Sequence, residues 1–339
     1  FNVMAAARRD GAAVVYVGAL GTGPFGELAR AALAAESITL AGPTLLDRDT
    51  GFSVVMVDDA AQRTFVSAPG AEVAAPAPWP PPLDVRPADL VYVTGYSLAH
   101  PVKGAALLDW LEGLDPRVAV LADASPLVEA LPLAWLRRLA RRAGIWSLNL
   151  TEGQALAARL AGTAPATGPA TGPATAPEDQ VEAARALAAS LAARLGGAVV
   201  LRLGPLGAVV VGDWGDRLVG GTAPGGAAGA AAATPCEPGP TPGGGTAPKT
   251  DGTGAGTDLL PGDGPVWVPA YPVRAVDTTG AGDAHCGVLA AGLLRGDGLV
   301  AAVRRAGVAA GLAVTKLGPA TAPSAEATTA ALAHYCGKA

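Results

Sequence analysis

The sequence predicts an α/β fold in which a doubly wound, mostly parallel sheet is flanked by helices. Short apolar runs, among them ADLVYVTGY, VAVLADASP and IWSLN, alternate with segments of helical spacing. This alternation is typical of parallel strands that are joined by crossover helices. A chain of 339 residues, of which 50% are hydrophobic, can also bury a sizeable core without disulfides or metals.

The N-terminal part of the chain predicts two helices and one antiparallel hairpin. We expect the first helix to end at Gly11, and the apolar run at 12–21 to form a strand and a glycine turn. A second helix is predicted over 24–38, with a proline at its start. Two β-rich runs then flank a polar turn at 58–62, which predicts a hairpin over 52–67.

The remainder of the chain continues the alternation of strands and helices. Apolar runs predict strands within 88–96, 118–126, 145–149, 198–204, 207–211 and 271–276. Helical spacing predicts helices within 101–114, 132–144, 151–162, 177–196, 281–295, 298–315 and 324–335. We interpret residues 1–339 as a single domain.

Two segments of low complexity interrupt this pattern. Residues 163–179 repeat a Thr-Gly-Pro-Ala unit, and residues 220–264 consist mostly of Gly, Pro, Ala and Thr. Neither can bury enough apolar surface to offset its ordering entropy, so both are predicted to be disordered insertions. The GTGAG run at 252–256 imitates a phosphate loop, but no strand precedes it and no helix follows it.

Composition excludes several classes of function. The net charge is −5 and no basic tract beyond RRLARR stands out, which argues against a nucleic-acid partner. Three cysteines without metal-ligand spacing favour a reducing cytoplasm. No uninterrupted apolar run reaches the roughly 18 residues that span a bilayer, so we expect no membrane segment.

The stretch DTTGAGD at 277–283 carries the strongest chemical signal. It joins an expected strand to an expected apolar helix, so the amides of Gly280, Ala281 and Gly282 would lie unpaired at a helix N-terminus. Those amides and the helix dipole form an anion site. Such a site can stabilise the charge on a phosphoryl group during its transfer.

Asp283 follows these glycines directly. A carboxylate beside an anion site can accept the proton of a substrate hydroxyl as that hydroxyl attacks. The alternative is structural, with Asp283 capping the helix and the glycines forming a turn.

DTTGAGD resembles the C-terminal signature of the ribokinase-like (PfkB) carbohydrate kinase family. Further segments resemble family motifs and occur in the family's order: VGALGTGPFG (17–26), SAPGAE (67–72), NLTE (149–152), LRLGPLGAVVV (201–211) and GPATAPSAEA (318–327). The resemblance covers nearly the whole chain. It implies a ribokinase-like fold and the transfer of the γ-phosphoryl of ATP, with Mg²⁺, to a hydroxyl of a small sugar or sugar-like molecule.

The resemblance also implies roles for particular residues around the nucleotide. Asp283 would be the catalytic base, and the amides at 280–282 would hold the transferring phosphoryl group. Asn149 and Glu152 would organise Mg²⁺ and its waters, since oxygen ligands suit that ion. Residues Arg202, Gly204, Gly207 and Gly318 would line the nucleotide. For Arg202 the alternative is a strand-edge charge that faces solvent.

On the substrate side, the resemblance implicates Asn2, Gly21, Gly23 and Asp277. Asp277 and Thr278 could instead contact a monovalent cation such as K⁺, or simply form a turn. The hairpin at 52–67 would be a lid that excludes water, and in some relatives this lid also forms a homodimer.

Three departures from the family pattern stand out. The Asn-x-x-Ala motif falls at residues 2–5, so we expect the family's first strand to be missing from this chain. Gly23 occupies the position of a substrate-binding Asp. His285 replaces a usual Phe, and we interpret it as a core residue. Two alternatives therefore stay open: a nucleoside kinase of the same fold, and an inactive sugar- or nucleotide-binding relative or fragment.

Overall fold

In a computed structural model, the structure describes residues 1–57, 63–74, 79–163, 176–212 and 264–336. Within these ranges the helices are α1 (Asn2–Arg9), α2 (Pro24–Ala35), α3 (Gly95–Leu98), α4 (Pro101–Gly113), α5 (Leu133–Arg142), α6 (Leu150–Ala161), α7 (Pro177–Leu195), α8 (Ala281–Arg295), α9 (Leu299–Ala313) and α10 (Ala325–Cys336). The strands are β1 (Val15–Tyr16), β2 (Leu20–Gly21), β3 (Thr39–Leu40), β4 (Thr44–Leu45), β5 (Phe52–Val57), β6 (Arg63–Ala68), β7 (Leu90–Thr94), β8 (Ala119–Asp123), β9 (Ile145–Asn149), β10 (Ala198–Arg202), β11 (Ala208–Val211) and β12 (Val266–Val268).

The larger of two compact units comprises residues 2–12, 85–96 and 115–339. Its sheet has the strand order β12-β11-β10-β9-β8-β7, in which β7 to β10 pair in parallel and β11 and β12 are antiparallel. This sheet confirms the predicted mostly parallel architecture. Because parallel strands end at one edge of the sheet, Asp123, Asn149 and Arg202 at the ends of β8, β9 and β10 become neighbours.

Apolar side chains on the sheet and its helices form the core of this unit. Leu121, Ile145 and Val200 pack with Val288 of α8 and Ala302 of α9 in one buried cluster. On β10, Leu201 is fully buried and contacts the position of Gly153 in α6. The burial of ten consecutive residues in α8, 284–293, makes it the central helix of the unit.

The smaller unit comprises Phe1 and residues 13–84 and 97–114. Two pairs of short parallel strands, β1 with β3 and β2 with β4, accompany an antiparallel hairpin of β5 and β6. This pairing confirms the predicted hairpin, whose polar turn at 58–62 lies outside the described residues. Several apolar side chains of the hairpin are exposed, namely those of Phe52, Val54, Val55, Met56, Phe65 and Val66.

Three of the sequence predictions differ from the structure, and others concern residues outside the described ranges. The strand predicted at 271–276 is wrong, because Pro272 has no N–H to donate and Val273–Val276 are exposed in an irregular segment. The run at 12–21 forms only the short β1 and β2. Helix α7 begins at Pro177, inside the predicted 163–179 insertion, whereas 164–175, 220–263 and the GTGAG run lie outside the described residues.

No helix among the described residues is long and apolar enough to cross a bilayer.

Candidate active site

The candidate site lies at the N-terminus of α8. Gly280 precedes the helix with φ of 78°, and a Cβ there would clash with the carbonyl oxygen of Pro319. Glycine is therefore required both by the left-handed backbone and by the close approach of the 318–319 loop. One expectation fails here: the Ala281 amide is not unpaired but donates to the Thr278 carbonyl at 3.3 Å.

Asp283 is the third residue of α8, and its carboxylate has a side-chain partner. The Asn2 amide nitrogen donates to Asp283 Oδ2 at 2.8 Å, across 281 residues of sequence. Asn2 begins α1, which packs along α8. The structure therefore joins the predicted base to a residue that the resemblance had assigned to the substrate.

Arg202 lies directly behind the first turn of α8. Its Nη2 atom is 3.8 Å from Asp123 Oδ2 and 3.6 Å from Glu152 Oε2, and its side chain is 14% exposed. A Cβ on Gly282 would clash with Arg202 Nη1. The alternative of a solvent-facing strand-edge charge is therefore wrong, because this guanidinium is an interior group.

Asn149 and Glu152 form a reciprocal cap at the start of α6. Asn149 Oδ1 accepts from the Glu152 amide at 2.8 Å, and Glu152 Oε2 accepts from the Asn149 amide at 2.9 Å. Burial raises the pKa of Glu152, and the Asn149 amide and Arg202 oppose that effect in part.

The oxygens of this cap fit Mg²⁺ only as a hydrated ion. No group of three His, Cys, Asp or Glu side chains within the described ranges could hold a metal directly. Mg²⁺ usually keeps several of its waters and is shared with substrate phosphates, which suits a single buried carboxylate with an amide beside it. Asn149 and Glu152 would hold such an ion through its water shell.

Sequence reasoning missed a cluster of polar groups behind this site. The single S–H group of Cys286 lies within hydrogen-bond distance of two acceptors, Ser147 Oγ at 3.3 Å and Asp123 Oδ2 at 3.5 Å. Burial raises the pKa of Cys286 to about 12, so the thiol stays neutral. The signal that could have found Asp123 is its position at the carboxyl end of a predicted parallel strand.

His285 is buried, as expected of a core residue. Its side chain has no hydrogen-bond partner on either ring nitrogen among the residues described. Burial, and then the nearby Arg202 charge, lower the pKa of His285 to about 3. The imidazole is therefore neutral at physiological pH.

Asp277 and Gly318 tie the turn before α8 to the loop before α10. Asp277 Oδ1 accepts from the Thr279 amide at 2.9 Å, and Asp277 Oδ2 accepts from the Gly318 amide at 3.0 Å. These bonds favour the turn role that was left open for Asp277. Contacts of Asp277 or Thr278 with substrate or a cation stay predictions.

Gly204 and Gly207 shape the turn between β10 and β11. Their φ angles are 58° and 97°, and a Cβ on Gly207 would clash with the Val268 carbonyl. The Leu203 amide donates to the Gly207 carbonyl at 2.7 Å, which closes the turn. The nucleotide contacts assigned to these glycines stay predictions.

Gly21 and Gly23 belong to the smaller unit, where Asp49 lies beside them. Its carboxylate accepts from the amides of Phe25 at 3.0 Å and Gly26 at 2.8 Å, at the start of α2. Burial would raise the pKa of Asp49, but these amides and others lower it overall. A Cβ on Gly23 would clash with this carboxylate, so an Asp side chain does stand next to position 23, supplied from elsewhere in the chain.

The class of protein is that of the carbohydrate kinases, as a family comparison shows. The model of the pfkB family carbohydrate kinases matches residues 1–224 and 250–326, and the chain belongs to that family. The chain is thus a kinase.

Particular relatives agree with this assignment. The chain is 26% identical over 328 residues to YegV, an uncharacterized sugar kinase of Escherichia coli (strain K12), covering 96% of this chain and 79% of the relative. It is 46% identical over 80 residues, 23% of this chain and 16% of the relative, to the bifunctional protein HldE of Bradyrhizobium sp. (strain ORS 278). The fold of this chain also matches that of a ribokinase of Cryptococcus neoformans var. grubii serotype A, solved with ADP, with a TM-score of 0.69. The match has 20% identity and covers 97% of this chain and 86% of the ribokinase.

Proposed function

We propose that this chain transfers the γ-phosphoryl group of ATP to a hydroxyl of a small sugar or sugar-like molecule. The observation that carries the proposal is the position of Asp283 in the first turn of α8, beside Gly282 and the Arg202 guanidinium. A base and backbone amides in one helical turn, with a buried cation beside them, can together promote phosphoryl transfer.

In the proposed reaction, Asp283 accepts the proton of the attacking hydroxyl. That oxygen forms a bond to the γ-phosphorus, the bond to the ADP oxygen breaks, and ADP leaves. The amides of Gly280 and Gly282 and the positive end of the α8 dipole stabilise charge on the phosphoryl oxygens. Arg202 adds a full positive charge behind Gly282. Mg²⁺, held through water by Asn149 and Glu152, would neutralise charge on the ATP phosphates.

The remaining assignments complete the site. Gly204, Gly207 and Gly318 give ATP close backbone approach, and Gly21 and Gly23 face the acceptor. A K⁺ ion near Asp277 and Thr278 is a further proposal, and equal activity in K⁺ and in tetramethylammonium would contradict it. We also propose that the enzyme works in the cytoplasm, where ATP is available, which cell fractionation tests.

A sugar is the favoured acceptor because the relative that matches over nearly the whole chain is named a sugar kinase. A nucleoside is the second candidate, and Tyr96 favours it. Its side chain is 60% exposed, and its pKa is raised by partial burial and then by Asp123, Glu152 and Asp283. An exposed aromatic ring whose pKa responds to the charge of the site carboxylates could stack on the nucleobase of a nucleoside.

We further propose that the hairpin closes over the acceptor and can pair with a second hairpin. Val54, Val55, Phe65 and Val66 leave apolar surface exposed on it, which a homodimer would cover. A monomer by light scattering at micromolar concentration, with and without substrates, would contradict the dimer.

The test is ADP formation from ATP and Mg²⁺ over a panel of pentoses, hexoses, keto-deoxy sugar acids and nucleosides. Turnover that depends on one class of acceptor supports the proposal and identifies that class. ATP binding without phosphorylation of any acceptor would instead favour an inactive sensor of sugar or nucleotide.

A further inference from the structure

Helix α1 contacts α8 at three points that occur in the same order along both helices. Asn2 reaches Asp283 at one end, and the α1 backbone lies against Gly287 in the middle. At the other end, Asp10, the residue directly after α1, pairs with Arg295 of α8 at 3.2 Å. The two helices therefore run side by side in a fixed register, with Asn2 at the level of the base.

The middle contact is close because both partners are small. A Cβ on Gly287 would clash with the Val3 carbonyl, and it would lie 2.6 Å from Ala6 Cβ and 2.8 Å from the Ala7 amide. Ala6 is fully buried, so only small residues fit this contact. Any sliding of α1 along α8 would break it.

The far contact adds an ionic anchor. The Asp10 side chain is fully buried, and it accepts from Arg305 Nε at 3.0 and 3.1 Å as well as from Arg295. Loss of these arginines would leave the buried Asp10 carboxylate uncompensated, which is costly, so the bonds hold the residue that follows α1 in place. The position of Asn2 is thus set by contacts well away from the site.

From this geometry we propose that Asn2 is a positioning residue for the base. Its amide N–H fixes the rotamer of Asp283 through Oδ2, so that Oδ1 is the oxygen presented to the acceptor hydroxyl. An ionised carboxylate only accepts hydrogen bonds, so the amide nitrogen must be the group that faces it. The inference rests on the proposed function of Asp283 and is additional to the substrate contact implied for Asn2.

The test compares Asn2→Ala with Asn2→Asp, on the acceptor with the best turnover. Asn2→Ala removes the donor, and we expect kcat to fall by roughly 10-fold or more, because hydrogen bonds to charged groups are of that strength. We expect KM for ATP to stay within about two-fold. Asn2→Asp has nearly the same shape but sets a second carboxylate against the base, so its kcat should fall further, by about 10²-fold.

Two controls separate this role from damage to the helix. Arg8→Ala alters the same helix and should keep wild-type kcat, because the bond of Arg8 within the described residues is a local one to the Ala12 carbonyl. In an Asp283→Asn background, Asn2→Ala should have no further effect, because Asn2 acts through the base.

Each other outcome contradicts a particular step. If Asn2→Asp keeps wild-type kcat, or if its kcat exceeds that of Asn2→Ala, the positioning role is wrong while the base assignment stands. If Asp283→Asn itself keeps wild-type kcat, the proposed function fails and the inference falls with it. Because Asp closely matches Asn in size, Asn2→Asp remains informative even if Asn2→Ala does not fold.

Discussion

At the scale of single residues, a neighbour from a distant strand explains why position 282 is a glycine. Arg202 Nη1 occupies the space that a side chain at 282 would need, and Asp123 and Glu152 hold the guanidinium there. A glycine in the first turn of a helix has an entropic cost. Here that cost allows a buried positive charge to lie against the turn that carries Asp283.

We predict that Gly282→Ala displaces the Arg202 guanidinium. The new Cβ overlaps Nη1, so the buried guanidinium must shift beside its two carboxylates, and overpacking of this kind costs about 1–3 kcal/mol of unfolding free energy. Urea denaturation of Gly282→Ala, Arg202→Ala and the double variant measures the coupling. The double variant should be less destabilised than the sum of the single variants, by about 0.5–3 kcal/mol. Simple additivity would contradict the contact.

Sequence reasoning could place Asp283 and its glycines, because a turn and a helix start are local features. It could not assign partners to Arg202 or Asp283. Those partners, Asp123 and Asn2, are brought in by the order of strands and by the packing of α1 on α8. Side-chain contacts across such distances in sequence leave no local pattern.

At the scale of elements, the contact between α1 and α8 depends on one glycine. Gly287 allows the α1 backbone to approach α8, whereas no described atom from outside the local helix lies within 4 Å of the Cβ position of Gly307 in α9. Both glycines lie inside helices. Alanine substitutions at the two positions can therefore be compared directly, because the main difference between them is the tertiary contact.

We predict opposite effects for alanine at these two positions. Gly287→Ala should lower the unfolding free energy by about 1–3 kcal/mol, because the new methyl group clashes with the Val3 carbonyl. Gly307→Ala should raise it by roughly 0.5–1 kcal/mol, because alanine favours a helix where space is open. Chemical denaturation measures both. Equal shifts in the same direction would be inconsistent with close packing of α1 on α8.

The helices were the most predictable elements, since periodicity, prolines and terminal glycines are all local. Helix α8 spans 281–295 as predicted, and α9 spans 299–313 against a predicted 298–315. The strand prediction at 271–276 was wrong, because alternation of apolar residues does not reveal whether a neighbouring strand is present. Its Val276 amide bonds instead to the Val314 carbonyl after α9, at 2.7 Å.

At the scale of the whole molecule, the stability of the fold is coupled to pH through a buried histidine. Unfolded, His285 would titrate near its ordinary pKa of 6.5, whereas burial and Arg202 lower the native pKa to about 3. Between these values the unfolded chain binds more protons than the native one. Stability therefore falls as the pH is lowered through this window.

We predict that His285→Phe removes this acid sensitivity. Between pH 7 and pH 5 the wild type should lose about 2 kcal/mol more unfolding free energy than the variant, from protonation of the unfolded histidine. Urea denaturation at both pH values measures the difference. Parallel losses in the two proteins would show that His285 is accessible to protons in the native state.

The fold class could be predicted from the sequence, because alternation of strands and helices restricts the topology. The strand order and the burial of Arg202 could not, since both depend on which strands become neighbours. The positions of Asp49 beside Gly23 and of the exposed Tyr96 likewise follow only from tertiary structure.

The most direct test of the whole account is the turnover of Asp283→Asn with the best acceptor. Asp297→Asn is the matched control, because it alters a carboxylate just beyond the opposite end of α8, paired with Arg295 at 2.7 Å. We predict that kcat falls by roughly 10²-fold or more in Asp283→Asn, the usual contribution of a general base, and stays unchanged in Asp297→Asn. Wild-type turnover in Asp283→Asn would contradict the central claim that this carboxylate is the base.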